Sequence, residues 1–392
     1  MAFSPLAGVR VLDLTSSLAG PTATEILGAL GADVVKIEHP GRGDEARDWG
    51  PPFFEGGSVM FFSANAGKRS LALDLKSRRG IETLLRLAAG ADVAVQSLRP
   101  GTAERLGFGP DELRTQNPRL VYATIGAFGR TGPLASEPGY DPLMQAAAGI
   151  MSVTGESGGP PARVGASLVD IGTGVWAALA IVAALLEGRG RTLDLSLYET
   201  ALSLVPYQLA DVLAGNAVAG RHGTAFPLIV PYQVFPTADG ELMIVAANDR
   251  LYAKVCEALD AVELARDGRF ATNPLRVANR HELIPLLEER IAAHATAGLL
   301  ARLRAAGVPA SPVNDLATVA EDEQLRATGI LQELAGHELV SPPFSADGER
   351  VRYRSGPPLL GQHTAEILAE AGFGDDEIAE LEREGVVRLH GG

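Results

Sequence analysis

Short apolar runs alternate with amphipathic stretches over the first third of the chain. Residues 9–14 (Val-Arg-Val-Leu-Asp-Leu) read as a buried strand. The Gly20-Pro21 turn opens a helix that runs through Ala29, Gly31 ends it, and residues 33–38 (Asp-Val-Val-Lys-Ile-Glu) read as a second strand. Strand, helix and strand within about 30 residues form a βαβ unit, whose crossover makes the strands parallel. The alternation continues with strands at Ser70–Leu75, Val93–Gln96 and Leu120–Ile125 and helices near 78–89 and 110–116. This is the pattern of an α/β sheet covered by helices on both faces.

The rhythm breaks at 205–235, where the Gly-containing stretch Ala214–Gly223 and Pro227, Pro231 and Pro236 mark a connection. Beyond it, Tyr232–Phe235 and Leu242–Ala246 flank Thr-Ala-Asp-Gly240, a hairpin signal. Helices follow near 250–259, 280–293 and 297–306. The division predicted is a large domain over 1–205, a linker at 206–224, a smaller α+β domain at 225–325 and a return segment at 326–392. That last segment carries a helix at Thr364–Glu370, stopped by Gly372, and another begun by Asp375-Asp-Glu-Ile and ended by Gly385. The longest apolar run, Val175–Leu186, is 12 residues, short of the roughly 18–20 a bilayer requires. No basic stretch followed by an apolar one opens the chain. A soluble cytoplasmic protein without membrane association is expected.

Composition narrows the chemistry. The 392 residues exceed what one core ordinarily holds. A net charge of −14 without any Lys/Arg stripe speaks against a nucleic-acid partner. The single cysteine, Cys256, rules out a disulfide framework and a Cys-built metal site and predicts a buried thiol. The seven histidines show no metal-ligand spacing, so no metal is expected. The turn Thr15–Pro21 lacks Gly-x-Gly-x-x-Gly, which speaks against a nicotinamide or flavin enzyme, and Gly-x-Ser-x-Gly is also missing. Cations follow predicted strands or turns: His39 with Arg42 and Arg47, Lys68-Arg69, and Arg99 with Arg105. In so acidic a chain they are candidate anion contacts, because open α/β sheets bind ligands beyond the C-terminal strand ends.

Asp170 stands at the head of the most apolar helix, in Ser167-Leu-Val-Asp170-Ile-Gly-Thr-Gly174. Two readings stay open on local sequence. As an N-cap, its carboxylate would accept backbone N–H bonds. As a reactive group, it would be kept ionised by the helix dipole, with Gly172 and Gly174 leaving the backbone open to a ligand, and would act as nucleophile or base.

Taken in order, the motifs resemble family III CoA-transferases. They are Pro5-Leu-Ala-Gly-Val-Arg-Val-Leu-Asp-Leu14, Ala19-Gly-Pro21, Leu30-Gly-Ala-Asp-Val-Val-Lys-Ile-Glu38 and Gly43-Asp44-x-x-Arg47, then Lys68-Arg-Ser-Leu-x-Leu-Asp74 and Arg99-Pro-Gly101 with Arg105-Leu-Gly107. Gly139-Tyr-Asp141, Asp170-x-x-Thr-Gly174 and Leu360-Gly-Gln-His-Thr364 complete them. The family includes formyl-CoA transferase, carnitine CoA-transferase and α-methylacyl-CoA racemase.

The resemblance implies a large Rossmann-like domain with a parallel sheet built from both chain ends, an inserted small α+β domain, and a homodimer of interlocked rings. It implies that Asp170 attacks an acyl-CoA thioester to form an acyl–aspartyl anhydride, from which CoA is passed to an acceptor carboxylic acid. CoA enters as part of the substrate, and no tightly bound cofactor is implied. Family CoA positions fall on Ser17, Leu18, His39, Leu73, Ser97, Leu98, Thr102 and Arg105, of which Arg105 matches in identity. His39 replaces an arginine of formyl-CoA transferase, Leu18 a glutamine and Pro138 a lysine, departures that speak against formyl-CoA and oxalate as substrates. Gly172 and Gly174 are candidate donors to the tetrahedral intermediates, and Tyr140 a candidate substrate contact. Racemase members carry a histidine where this chain has Tyr140, and a phenol with an ordinary pKa near 10 is a poor proton shuttle. Transfer is therefore favoured over epimerisation or isomerisation of an acyl-CoA, and the retained Asp170-x-x-Thr-Gly174 speaks against acyl-CoA binding without catalysis.

Overall fold

Five parallel strands follow from the buried apolar runs, β1 (Arg10–Leu14), β2 (Asp33–Glu38), β3 (Arg69–Leu73), β4 (Val93–Gln96) and β5 (Val121–Gly126), and a sixth, the partly polar β6 (Thr192–Ser196), joins them. The structure is a computed structural model that describes residues 3–216 and 220–391. The spatial order is 3-2-1-4-5-6. A short strand, Val387–Arg388, adds antiparallel to the outer edge of β3. The whole is a mixed α/β sheet dominated by parallel pairing.

Helices link the strands and continue beyond the last of them. They include α1 (Ala19–Ala29), α2 (Arg78–Ala88), α3 (Thr102–Leu106), α4 (Pro110–Gln116), α5 (Asp141–Ala147), α6 (Leu168–Glu187), α7 (Leu197–Ser203) and α8 (Pro206–Leu213). One core joins the two ends of the chain: Leu12, Val35, Leu71, Leu84 and Tyr122 cluster with Ile367, Leu368, Phe373, Leu381 and Val387.

The chain separates into two compact units, Met1–Ile150 with Arg163–Ala217 and Gln324–Gly392, and Met151–Ala162 with Val218–Glu323. Residues 151–162, which the sequence reading assigns to the large domain, thus belong to the second unit. That unit holds a three-stranded antiparallel sheet of β7 (Tyr232–Pro236), β8 (Glu241–Val245) and β9 (Ala310–Pro312). Its core includes Phe235, Ile244, Tyr252, Leu287 and Cys256. The Cys256 thiol is buried, and that burial pushes its pKa up to about 11.

Two expectations change. The stretch 206–224 is not simply a linker, because Pro206–Leu213 forms α8; positions 217–219 of it lie outside the described residues. And α6 reaches 20 residues, long and apolar enough by length and composition to cross a membrane, where the 12-residue run alone fell short. Gly188, in the left-handed region at φ +74°, ends it. Its inner face packs tightly on α1: a Cβ on Gly174 would lie 2.7 Å from Thr22 Cβ and 2.9 Å from the Ala19 carbonyl. Its outer face is uncovered, with Val175, Trp176 and Leu179 each more than half exposed.

Candidate active site

The crossovers leave β1 and β4, which are neighbours, in opposite directions. The crevice at their C-terminal ends is where an open sheet of this order admits a ligand. A cleft of about 510 Å3 lies there. Ser16, Ser17, Ala19 and Gly20 line it after β1, Ser97–Pro100 after β4, and Ile125–Ala127 at the end of β5. Arg42, Glu45, Glu137–Tyr140, Leu197 and Asp170 close it.

Asp170 is half-buried in the first turn of α6. It does not cap that helix, and neither does Ser167. Asp141, buried at the start of α5, reaches across, and its Oδ2 accepts the N–H of Val169 (2.8 Å) and of Asp170 (3.2 Å). The Ile171 N–H donates to the Ser167 carbonyl, so the first turn of α6 is satisfied without the Asp170 side chain. Among the described residues no group donates a hydrogen bond to the Asp170 carboxylate. Helix position alone predicted an ionised carboxylate. Instead burial, with the Asp141 charge adding to it, pushes the Asp170 pKa up to about 7. A carboxyl poised there is half-ionised near neutrality and more nucleophilic than an ordinary one.

The cleft wall is held by a buried ionic network at the ends of β1, β2 and β3. Lys68 Nζ donates to Asp13 Oδ2 (3.0 Å), Asn65 Oδ1 (2.8 Å) and the Pro21 carbonyl (2.9 Å). Thr24 and Thr15 also donate to Asp13. Burial alone would push the Asp13 carboxyl up, but Lys68 and Lys36 hold it well below the usual carboxylate range. Lys36 pairs with Asp44 at 2.7 Å, and Arg47 donates two bonds of 2.8 Å to Glu38. Asp44 then accepts the Ser17 N–H (3.1 Å), and Glu45 the Ser17 hydroxyl (2.6 Å). These bonds keep Ser17 in the left-handed region, at φ +70°, which a serine rarely occupies.

The structure gathers Ser17, Ser97, Leu98, Tyr140 and Asp170 in one cleft. Tyr140 sets its ring edge against Trp49, with centroids 6.4 Å apart. The Glu45 carboxylate beside Tyr140 pushes its phenol above the ordinary range, away from proton shuttling. Leu18 and Leu73 are buried, and neither lines the cleft. His39 is exposed outside the cleft lining, its Nδ1 accepting the Gly41 N–H. Arg105 lines a separate groove of about 360 Å3 with Lys76, Ser77 and Arg78, and donates to Thr102 Oγ1 at 2.9 Å.

Gly172 and Gly174 lie inside α6. Gly174 serves the α1 contact, and Gly172 faces Thr200, whose Cγ2 an added Cβ would approach to 3.2 Å. Arg47 and Lys68 neutralise buried carboxylates, and Arg69 binds Asp33, Glu366 and Glu370. Of the cations read as anion contacts, Arg42 and Arg99 are the two in the cleft, and neither pairs with a carboxylate among the described residues. Sequence reasoning missed Asp141 as the partner of α6 and Lys76 as a wall of the groove. The position of Asp141, 29 residues before Asp170, carries no local signal of contact.

Known proteins resemble the chain over nearly its whole length. Residues 6–364 match the family model for CoA-transferase family III. The chain is 40% identical to the mouse succinyl-CoA:glutarate CoA-transferase, over 99% of this chain and 92% of the relative. It is 38% identical to the acetyl-CoA:oxalate CoA-transferase of Acetobacter aceti, over 93% and 95% respectively. A solved structure of a CaiB/BaiF family protein from Brucella suis superposes with a TM-score of 0.85 at 38% identity, covering 94% of this chain and 99% of that one.

Proposed function

Because the chain belongs to CoA-transferase family III and moves CoA between an acyl-CoA and a carboxylic acid, we propose that Asp170 is the covalent nucleophile of that transfer and that the acceptor is a dicarboxylic acid. The observation carrying the first part is a carboxylate that faces the switch-point cleft with no hydrogen-bond donor among the described residues, its place as helix cap taken by Asp141. Asp170 attacks the thioester carbonyl, a mixed anhydride forms, and CoA leaves as thiolate. The acceptor carboxylate attacks the aspartyl carbonyl of the anhydride and the donor acid departs. The thiolate then attacks the new acyl carbon, which regenerates Asp170. No net proton is consumed. The anhydride must be shielded from water. Arg42 and Arg99, the cleft's cations without a carboxylate partner among the described residues, suit an acid that keeps a second carboxylate after its first has reacted. The mouse and Acetobacter relatives are named for glutarate and oxalate, both dicarboxylic. The groove of Lys76, Arg78 and Arg105 suits the phosphates of CoA.

The test is mass spectrometry of the intact protein after mixing with succinyl-CoA. An acyl adduct that maps to Asp170 and is discharged by hydroxylamine is expected. Turnover without any adduct on Asp170 overturns the reading.

A second copy covers the apolar faces that one chain leaves open. On α6 these are Val175, Trp176, Leu179 and Leu186, and on α8 Tyr207 and Leu213. None of the residues of α8 is buried in the single chain. Patches of this extent on a soluble protein mark an interface, and the interlocked homodimer of the family accounts for them. Light scattering is expected to give twice the chain mass of 40.9 kDa; a monomer down to nanomolar concentration would exclude it.

A further inference from the structure

A carboxylate in the first turn of a helix ordinarily folds back onto the N–H groups there, which lack intrahelical partners. At the head of α6 those groups are already occupied. Asp141 Oδ2 accepts from Val169 and Asp170, and Asp141 Oδ1 accepts from Gln145 Nε2 at 2.6 Å. Gln145 Oε1 in turn accepts the Val164 N–H at 2.9 Å, which ties α5 to the segment leading into α6.

We propose that Asp141 is a positioning residue for the attack by Asp170: it occupies the N–H groups that would otherwise capture the Asp170 carboxylate, and it holds a fixed negative charge behind it. The inference rests on reading Asp170 as the nucleophile.

The geometry gives each carboxylate a separate part. Asp141 has three donors to stabilise its charge. Asp170 has none among the described residues, so the cost of placing two carboxylates together falls on Asp170. Attack on a thioester relieves that cost, because anhydride formation passes the Asp170 charge to the departing CoA thiolate and leaves Asp141 alone. The reaction is thus driven partly by a repulsion present before it and absent after it.

The other titratable and charged groups facing this region are Arg42, Glu45, Arg99, Glu137 and Tyr140 around the cleft. On elements packed against α6, Glu25 of α1 accepts from Ala66 and Tyr353, Glu199 of α7 from Ser196, and Asp194 of β6 from Arg130. Burial and Asp141 are the influences that act on the Asp170 carboxyl.

The test is the pH profile of kcat/KM for the full-length protein and for Asp141→Asn and Asp141→Ala. Asp141→Asn keeps an oxygen that can accept the two N–H bonds but loses the charge. Its acid limb, near pH 7 in the unaltered enzyme, is expected at lower pH. Asp141→Ala also frees the N–H groups to capture Asp170 and is expected to lose about 10²-fold in kcat, the scale of a misplaced reacting group. A purely structural cap would lower activity evenly at all pH values and leave the limb in place, and that result overturns the proposal. Failure of both variants to fold by circular dichroism would likewise assign Asp141 to structure alone. Absence of an acyl adduct in the unaltered enzyme removes the nucleophile reading itself. An adduct there, with an unmoved limb in Asp141→Asn, removes only the role of Asp141.

Discussion

Asp170→Asn is expected to fold, to lose about 10³-fold or more in turnover, and to be more stable than the unaltered protein above pH 7. The loss is that of a covalent nucleophile replaced by a group that cannot form the anhydride. The gain follows from linkage. The Asp170 carboxyl is raised from 3.8 to about 7 by burial and by Asp141. Between those values the folded protein holds a proton that the unfolded chain has released. The stability this contributes is fully present below pH 3.8 and is lost as pH rises through about 7. Asparagine, neutral throughout, does not incur the loss. Its advantage should be near zero at pH 4 and reach about 2–4 kcal/mol by pH 8–9, allowing for the partial exposure of the site. Urea titrations of both proteins at pH 5 and pH 8.5 measure it. Equal midpoints at pH 8.5 would mean that Asp170 is not strained in the free enzyme. In the unaltered enzyme the same ionisation makes activity rise with pH through about 7.

Lys68→Met is expected to cost about 3–5 kcal/mol, although residue 68 lies outside the cleft lining. The substitution conserves volume but leaves Asp13 as a fully buried anion with its closest cation removed, and an uncompensated buried charge carries a penalty of that size. Thr15 and Thr24 still donate to Asp13, which softens the loss without cancelling it. Adding Asp13→Asn should restore part of the stability, because the two positions are in direct contact and their effects do not add. Chemical denaturation of the two single variants and the double variant provides the cycle. A loss below about 1 kcal/mol in Lys68→Met would show that Lys36 already neutralises Asp13.

Much of the frame was legible. β2, β4 and α4 fall on the predicted residues because each combines an apolar or amphipathic run with a clear start and stop: Gly31 before β2, and Pro110 in the first turn of α4. β6 was not legible, since Thr192–Ser196 is half polar and owes its pairing to β5. α8 hid in a stretch read as connection because none of its side chains is buried within the chain.

At the site, the helix head and the ordered family motifs pointed to Asp170, and the family resemblance named Ser17, Ser97 and Tyr140, which line the same cleft. The cations misled. Arg47 and Lys68 stand after or beside strands like Arg99 does, yet their partners Glu38 and Asp13 come from other strands, and pairing across strands leaves no trace in spacing.

The joining of both chain ends in one core has a consequence for the order of biosynthesis. Leu71 and Leu84 of the first hundred residues pack against Phe373, Leu381 and Val387 of the last twenty. A growing chain therefore carries the outer edge of β3 and the apolar side of α2 unsealed until residues 373–387 have been made. The second unit, whose parts are all complete by Glu323, has no such wait. The nascent protein is thus expected to complete its second unit before residues 373–387 close the first. The residues around Val387 act as the closing seam, and their loss would expose the same apolar surface in the finished molecule that every newborn chain exposes in passing.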